Sequence, residues 1–184
     1  MPDIPEPGPS PAPIPWPTDP IRTERLVLRE AGAGDRGRFV ELFASPEVGV
    51  YVGGARPRGE LERAMPAVPG QRPGLFVVDL DGVMIGMVTL DRQDAEHPGG
   101  GKAGLGYLFL PEAWGYGYAA EACAAALGWF AGVLPGEPVV LSTRTANERA
   151  LRLAAKLGFT EVERFEAYRT EQWSGVWSPV TASG

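Results

Sequence analysis

The sequence has very little of two residue types on which whole classes of function depend. There is one cysteine, Cys123, and one histidine, His97, among the 184 residues. A single cysteine excludes an intrachain disulfide. A single histidine without a cysteine cluster excludes a multi-histidine metal site. We therefore expect no bound metal and no structural requirement for an oxidising compartment.

Basic charge and long apolar runs are also lacking. The chain has 17 Lys and Arg residues against 23 Asp and Glu residues, and its formal net charge is -6 at pH 7. This balance argues against nucleic acid as the main partner, because phosphate binding needs a basic surface. No run reaches the length of a membrane span, and the first residues lack the basic start and apolar core of a signal peptide. We expect a cytoplasmic protein that does not bind a membrane.

Proline is concentrated at one end of the chain. Nine of the 19 prolines lie in residues 1–20. Because proline fixes φ and removes a backbone donor, this pattern predicts a flexible Pro-rich tail, with Trp16 as the residue able to hold part of it on the domain. Residues 21–184 are predicted to form a single domain, since their number suits one hydrophobic core.

The hydrophobic pattern of the domain alternates between strand and helix periods. The Asp81-Gly82 pair between two apolar runs predicts a tight hairpin. Helical patterns follow at residues 118–131 and at 147–157, the second ending at Gly158, and two last strands are predicted over 159–171 and 175–180. The order of elements predicts an α/β (α+β) fold with a mixed, largely antiparallel seven-stranded sheet flanked by helices.

The stretch PEAWGYGYAAEA places two glycines between an apolar run and an alanine-rich helix. Free N–H groups at a helix N-terminus bind anions, and Gly115 and Gly117 would let an anion approach closely. A nucleotide phosphate loop continues with Lys and Ser or Thr, whereas here Tyr118 and Ala119 follow. The predicted ligand is therefore an anion that the loop holds in place, not a phosphate that takes part in the reaction. A tight turn without a ligand is one alternative, and a dinucleotide-binding loop, which would want a third glycine at Ala120, is another.

Three segments together resemble the GNAT superfamily of acetyl-CoA-dependent N-acetyltransferases, and most of all its RimJ/RimL branch. IRTERLVLRE is similar to the first strand of that branch. GLGYLFLPEAWGYGYAAEA is similar to the core strand, the pyrophosphate loop and the next helix, and NERALRLAAKLGF is similar to the last core helix. The segments occur in the same order and with matching spacing over about residues 21–180 of this chain. The resemblance implies that the single domain predicted over residues 21–184 is acetyltransferase-like.

The resemblance implies a sheet whose two central strands splay apart. The pantetheine arm of acetyl-CoA, the co-substrate, would hydrogen-bond in the gap, and a main-chain donor near residues 108–110 would polarise the thioester carbonyl. A primary amine, either a protein N-terminus or a small cationic amine, would attack the thioester directly in a ternary complex. A homodimer is among the assembly states that the resemblance allows. The implied cofactor-binding residues are Leu108, Phe109, Leu110, Trp114, Gly115, Tyr116, Gly117, Tyr118, Ala119, Ala120 and Asn147.

The sequence departs from the family pattern at the phosphate loop and on the side of proton transfer. A loop position that is often Arg or Gln is Glu112, whose carboxylate is expected to point away from the phosphates. The strand glutamate that often helps remove the amine proton is matched by Gly104. The helix Tyr or Ser that serves as general acid would fall on Ala154 or Ala150. The candidate catalytic residues are Tyr107 and Ser142, together with Thr143, Asp91, Asp94, Glu96 and His97.

These departures leave a second function open. A chain that keeps the cofactor side of the site and lacks the proton-transfer side could be a catalytically weak acyl-CoA-binding sensor or a partner-binding module. Release of CoA in the presence of amines separates this alternative from an N-acetyltransferase.

Overall fold

The computed structural model describes residues 13–16, 19–92 and 101–179 of the chain. Most of the predicted tail over residues 1–20 lies outside these ranges. No helix within the described ranges is both long and apolar enough to cross a bilayer. Three of the candidate residues also lie outside the described part of the chain: Asp94, Glu96 and His97.

Eight strands form one sheet at the centre of the fold. They are β1 (Ile21–Arg22), β2 (Val27–Arg29), β3 (Leu75–Leu80), β4 (Val83–Arg92), β5 (Ala103–Phe109), β6 (Val139–Arg144), β7 (Thr160–Ala167) and β8 (Thr170–Trp177). Their order across the sheet is β1-β2-β3-β4-β5-β6-β8-β7, and every neighbouring pair is antiparallel except β5 with β6. The predicted mixed, largely antiparallel sheet is confirmed. It has eight strands rather than seven because the two-residue β1 pairs with β2 at one edge.

Helices cover both faces of the sheet. The described α-helices are α1 (Arg36–Ala44), α2 (Pro46–Gly49), α3 (Arg58–Ala64), α4 (Tyr118–Val133) and α5 (Glu148–Leu157). Buried residues of α4 and α5 belong to one core cluster, and buried residues of α1 and α2 belong to a second. We call the corresponding sides of the sheet the α4 face and the α1 face.

Alternation along the strands decides which side chain lies on which face. On β5, Leu105 and Phe109 are buried in the cluster on the α4 face, whereas Leu108 packs against the cluster on the α1 face. This is the two-residue period of a strand covered on both sides. Odd-numbered side chains of β5 therefore lie on the α4 face and even-numbered ones on the α1 face.

The β3–β4 hairpin turns where the sequence predicts it. Asp81 and Gly82 both have positive φ, 52° and 89°, as a tight primed turn requires. The Asp79 carboxylate accepts a hydrogen bond from the Gly82 N–H at 2.7 Å and supports the turn. The prediction of this hairpin is confirmed.

The division of the last two strands was predicted wrongly. The chain reverses at Tyr168 and Arg169, with φ of 52° and 65°, in the middle of the stretch predicted as one strand over residues 159–171. The turn separates β7 from β8, and β8 then crosses to lie between β6 and β7. Neither turn residue is of the Gly, Asn or Asp type that normally marks positive φ in a sequence.

The two central strands splay apart. The parallel pairing of β5 with β6 is confined to two positions, Ala103 with Val139 and Gly104 with Val140. Both strands continue for several residues beyond that point, to Phe109 and to Arg144. A gap therefore opens from an apex at Gly104 towards the carboxyl ends of both strands, as the resemblance implied.

Trp16 lies against the α4 face of the domain. Its ring is 4.4 Å from that of Phe76 and 6.0 Å from that of Trp129, between ring centroids. Such tilted and edge-to-face contacts are favourable aromatic geometries. The aromatic contact holds the segment before β1 on the fold.

Candidate functional site

The gap between β5 and β6 is edged by backbone groups of alternate β5 residues. The Leu110 N–H donates to Ile85 O at 2.9 Å, and the register of β5 on β4 is unbroken. Because consecutive residues of a strand direct their backbone groups to opposite edges, Leu108 and Leu110 are turned to β4, whereas Tyr107 and Phe109 are turned to the gap. Of the three residues predicted to polarise a thioester, it is therefore Phe109 that presents its N–H to the gap.

An indole ring lies at the wide end of the gap. Trp114 Nε1 donates to Phe109 O at 2.8 Å, and its ring contacts both core clusters. The guanidinium of Arg149, in the first turn of α5, lies over the indole at 4.4 Å from its centroid, which is cation–π geometry. The ring is thus fixed by β5 and covered by a cation from the other side of the gap.

The loop after β5 ends in a helix N-terminus that no side chain caps. Gly115 and Gly117 have φ of 88° and 81°, a conformation that glycine adopts without strain. The Trp114 N–H is used locally, on Pro111 O at 3.1 Å, and the first hydrogen bond of α4 is donated by Glu121 to Gly117 O. The N–H groups of the first helical residues precede that bond and have no partner within the helix. They belong to Tyr118, Ala119 and Ala120.

Arg25 brings a positive charge to this loop from the start of the sheet. Its Nη1 donates to Tyr116 O at 3.0 Å, and its Nε donates to Glu121 Oε1 at 2.8 Å. Its guanidinium also lies 4.5 Å from the Tyr118 ring centroid. A Cβ built on Gly117 would come within 3.6 Å of Arg25 Nη2, so the charge stands beside the glycine turn.

The ion pair that holds Arg25 is biased towards the charged forms of both partners. The hydrogen bond from Arg25 to Glu121 raises the pKa of the guanidinium. Burial disfavours the ionised form of Glu121, but hydrogen bonds from Thr23 and Arg25 outweigh it and hold the pKa of this carboxyl below its usual value. The loop therefore has an arginine fixed next to it at ordinary pH.

Glu112 is turned away from the glycine turn. Its carboxylate forms an ion pair with Arg38 of α1, and its side chain is 62% exposed. Arg38 is itself anchored by a hydrogen bond from Nε to Met84 O at 2.8 Å. The acidic charge of the loop is therefore neutralised on the α1 face, as expected for a carboxylate that points outward.

Asn147 caps α5 with one end of its side chain. Its Oδ1 accepts a hydrogen bond from the Ala150 N–H at 3.2 Å, which is the usual role of an N-cap residue. The Nδ2 group is not needed for the cap and has two donors. The structure thus gives the amide oxygen a structural role and leaves the amide nitrogen as the group able to donate to a ligand.

The two catalytic candidates on the central strands are not brought together. Tyr107 packs on the α4 face, where burial, reinforced by nearby Cys123, raises the pKa of its phenol above the ordinary value. Ser142 follows Leu141, which is buried on the α4 face, so its side chain lies on the α1 face, 3.4 Å from Ser174 Oγ. Tyr107 can donate a hydrogen bond but is a poor base, and Ser142 lies across the sheet from it.

The helix positions that would supply a general acid hold small apolar residues. Ala150 is 6% exposed and Ala154 is fully buried in the core, so neither position offers a proton. Among the described residues there is no group of three or more His, Cys, Asp or Glu side chains that could hold a metal ion.

Sequence reasoning missed the two arginines beside the loop. Arg25 is separated from Glu121 by 96 residues, and Arg149 reaches Trp114 across the gap. Both arginines lie within the segments on which the resemblance was based. A search of those segments for opposite charges would have offered the Arg25–Glu121 pair, but would not have placed it at the loop.

Comparison with known proteins identifies the domain. A family model described as an acetyltransferase (GNAT) domain matches residues 25–160, which is more than half of the chain. No curated protein matches the chain.

Solved acetyltransferase structures have the same fold. A GNAT-family acetyltransferase from Bacillus anthracis is 18% identical with a TM-score of 0.71, covering 87% of this chain and 98% of its own. A spermidine N-acetyltransferase from Vibrio cholerae, solved with CoA and spermine, is 20% identical with a TM-score of 0.65, covering 85% and 96%. An aminoglycoside acetyltransferase solved with coenzyme A is 15% identical with a TM-score of 0.65, covering 83% and 94%. At these identities the likeness establishes the fold alone.

Proposed function

The chain belongs to the GNAT acetyltransferase family, and from this premise we propose that it moves an acetyl group from acetyl-CoA to a primary amine. The observation that carries the proposal is the gap between β5 and β6, which opens onto a glycine turn and the N-terminus of α4. Strand backbone at the edge of a gap suits an amide-bearing chain, and the turn beside it suits an anion. Acetyl-CoA has both features in one molecule. Membership in the RimJ/RimL branch and a cytoplasmic location are part of the proposal.

The cofactor would lie along the gap with its phosphates at the wide end. Its pantetheine amides would pair with the gap-facing backbone groups of Tyr107 and Phe109, and with Nδ2 of Asn147. Its pyrophosphate would accept hydrogen bonds from the N–H groups of the loop from Gly115 to Ala120. The acyl end would then lie near the apex of the gap. Solved relatives that contain CoA support a CoA-bearing ligand for this fold.

The reaction proposed is a direct attack in a ternary complex. The nitrogen of a neutral amine forms a bond to the thioester carbon, the C–S bond breaks, and CoA leaves as a thiolate. The nitrogen then loses a proton to solvent or a nearby base, and the thiolate takes one up. A gap-facing N–H of β5 beside the acyl end would stabilise the oxyanion. Alignment of the two substrates would supply much of the rate. Tyr107 stays protonated because of its raised pKa, so it would serve as a hydrogen-bond donor.

The acceptor proposed is a small cationic amine or a protein N-terminus. The net charge of -6 favours a cationic acceptor over an anionic one. Two solved relatives carry names that refer to spermidine and to aminoglycosides, which are amines. These observations favour a polyamine or an amino sugar as the first acceptors to test.

Titration of the purified chain with acetyl-CoA tests the cofactor half of the proposal, with NADH as the control ligand. The Gly117→Val variant should raise the Kd for acetyl-CoA by about tenfold or more, because a β-branched side chain would fill the space beside the helix N-terminus. Gly136→Val is the matched control, since Gly136 also has positive φ and open space around it but lies in the turn before β6. Equal binding by wild type and Gly117→Val would contradict the assignment of the loop.

Release of CoA with a set of amines tests the transfer half. Spermine, paromomycin and a short peptide with a free N-terminus represent the three acceptor classes. Turnover with any of them supports the acetyltransferase proposal. Tight binding of acetyl-CoA without turnover would favour the sensor or partner-binding module, the alternative that the absence of a carboxylate at Gly104 and of hydroxyls on α5 left open.

A further inference from the structure

The α1 face at the apex of the gap carries no β5 side chain. Gly104 is the last β5 residue paired with β6, and Gly106 lies two residues further along on the same face. A Cβ on Gly106 would come within 2.6 Å of Thr89 Oγ1, so β4 fills the space above that glycine. An amine that approaches the acyl end from this face therefore meets no polar side chain of β5.

The Asp91 carboxylate of β4 lies directly across from Gly104, the β5 position without a side chain. Asp91 pairs with Gly104, and Thr89 pairs with Gly106. Residues directly opposite each other in an antiparallel pair share a face, with Cα atoms about 5.5 Å apart when the pair is hydrogen-bonded. The Asp91 side chain therefore lies on the α1 face next to the apex, where β5 lacks one.

The surroundings of Asp91 hold its carboxylate in a fixed place. Arg72 Nη1 is 2.7 Å from Oδ1, and Arg72 Nη2 is 3.1 Å from Oδ2. A Cβ on Gly74, which has φ of 95°, would come within 2.3 Å of Asp91 Oδ1. The glycine thus leaves the room that the carboxylate occupies, and the arginine sets its orientation.

We propose that Asp91 binds the protonated amino group of a cationic acceptor and holds the acceptor at the apex of the gap. The inference rests on the proposed function, because it takes the apex as the place of the acyl end. Each carboxylate oxygen accepts two hydrogen bonds, so both oxygens keep capacity beyond the Arg72 contacts. The Asp91 side chain is 40% exposed and that of Arg72 is 47% exposed. Because both side chains are partly open to solvent, a cationic ligand can reach the carboxylate and share it with the arginine.

This role makes Asp91 a positioning residue for one class of acceptor. An acceptor with a second, cationic nitrogen gains from the carboxylate, whereas a small neutral nucleophile does not. Spermine is the cationic probe, and hydroxylamine, which is neutral near pH 7.5, is the neutral one. Both report CoA release, so the same enzyme can be compared on the two probes.

The test measures CoA release by wild type, Asp91→Asn and Asp81→Asn, with the background reaction of hydroxylamine subtracted. Asp91→Asn should raise KM for spermine about tenfold, the range of a charge-assisted hydrogen bond. The hydroxylamine rate and the Kd for acetyl-CoA should stay at wild-type values. Asp81→Asn loses the same charge in the β3–β4 turn, at the other end of β4, and should change none of the three.

Three results would overturn the inference. They are an unchanged spermine KM in Asp91→Asn, an equal loss with both probes, and a wild type that uses hydroxylamine but not spermine. A wild type that neither binds acetyl-CoA nor uses hydroxylamine would instead contradict the proposed function. If Asp91→Asn does not fold, the spermine KM of Arg72→Gln provides a second test. This substitution frees the carboxylate and should lower the spermine KM, and a raised KM in a folded Arg72→Gln would overturn the inference.

Discussion

Asn147 allows a structural role and a ligand-binding role to be separated within one side chain. Its Oδ1 caps α5 through the Ala150 N–H, and its Nδ2 is proposed to donate to a carbonyl of acetyl-CoA. Asn147→Ala removes both groups. Asn147→Asp keeps an acceptor for the cap and loses the donors, because an ionised carboxylate only accepts.

The two variants should therefore differ in stability, and both should bind acetyl-CoA more weakly than wild type. Loss of an N-cap side chain costs about 1 kcal/mol, which lowers Tm by roughly 2–4 °C in a domain of this size, so Asn147→Ala should melt lower by that amount. Asn147→Asp should melt at the wild-type temperature or slightly above it, since a negative charge at a helix N-terminus contributes about 0.3–1 kcal/mol. Loss of one neutral hydrogen bond of about 1 kcal/mol should raise the acetyl-CoA Kd about fivefold in Asn147→Ala. The rise in Asn147→Asp should be at least as large, because a carboxylate repels the carbonyl oxygen to which the amide would donate.

Thermal unfolding and calorimetric titration of the same preparations give both quantities. The decisive comparison is Asn147→Asp with wild type, because both keep the helix cap. If Asn147→Asp bound acetyl-CoA as wild type does, the amide nitrogen would have no part in cofactor binding. If Asn147→Ala unfolded at the wild-type temperature, the cap would contribute less than about 1 kcal/mol to the free energy of unfolding.

Two further predictions concern the arginine beside the loop and its partner. Arg25→Met should weaken acetyl-CoA binding about three- to tenfold and leave the binding of S-acetylpantetheine, which has no phosphate, unchanged. Calorimetric titrations measure both affinities, with Arg22→Met as the control variant. An equal loss of affinity for both ligands would contradict a phosphate contact. Because the pKa of Glu121 is held below its ordinary 4.5, its ionised form adds stability that is complete above that value and is lost as the pH falls through the lower folded-state pKa. Glu121→Gln should therefore be less stable than wild type at pH 7, with a difference that shrinks below about pH 4.5 in urea unfolding; a difference that stays constant with pH would show that Glu121 contributes as a neutral group.

The sequence was most informative where the backbone makes a local demand. The turn at Asp81-Gly82 and the end of α5 at Gly158, with φ of 94°, were predicted because positive φ favours glycine and its small polar neighbours. The turn at Tyr168 and Arg169 makes the same demand with residues that carry no such signal. A strand was therefore predicted straight through it.

The backbone groups of the candidate site were predicted from the sequence, whereas its charged side chains were missed. The loop at Gly115 and Gly117 is contiguous in sequence, so its pattern could be read directly. The arginines at positions 25, 72 and 149 reach their partners through contacts set by sheet order and helix packing. Such contacts leave no periodicity or spacing in the chain, and they had to be located in the folded molecule.

The position of Asp91 illustrates the same limit. From the sequence it was one of several acidic candidates in the loop beyond a strand predicted over residues 83–90, whereas the structure places it inside β4. The register of β4 on β5 places it opposite Gly104, and a shift of one residue would have moved it to the other face of the sheet. Register is set by all the contacts of the two strands together, which is why inspection of the strand alone could not supply it.

The two-position pairing of β5 with β6 has a consequence for how the fold holds together. Strands β1–β5 come from one continuous stretch of chain, and β6–β8 from another. Each half is an antiparallel unit whose hydrogen bonds are internal, and the seam between them has backbone pairing at only two positions among the described residues. Buried side chains of α4, α5 and strands of both halves share one core cluster, so side-chain packing rather than backbone pairing joins the halves. A ligand that pairs with the edge of the gap would act as a missing strand, and the sheet would be continuous in backbone hydrogen bonds when its substrate is bound.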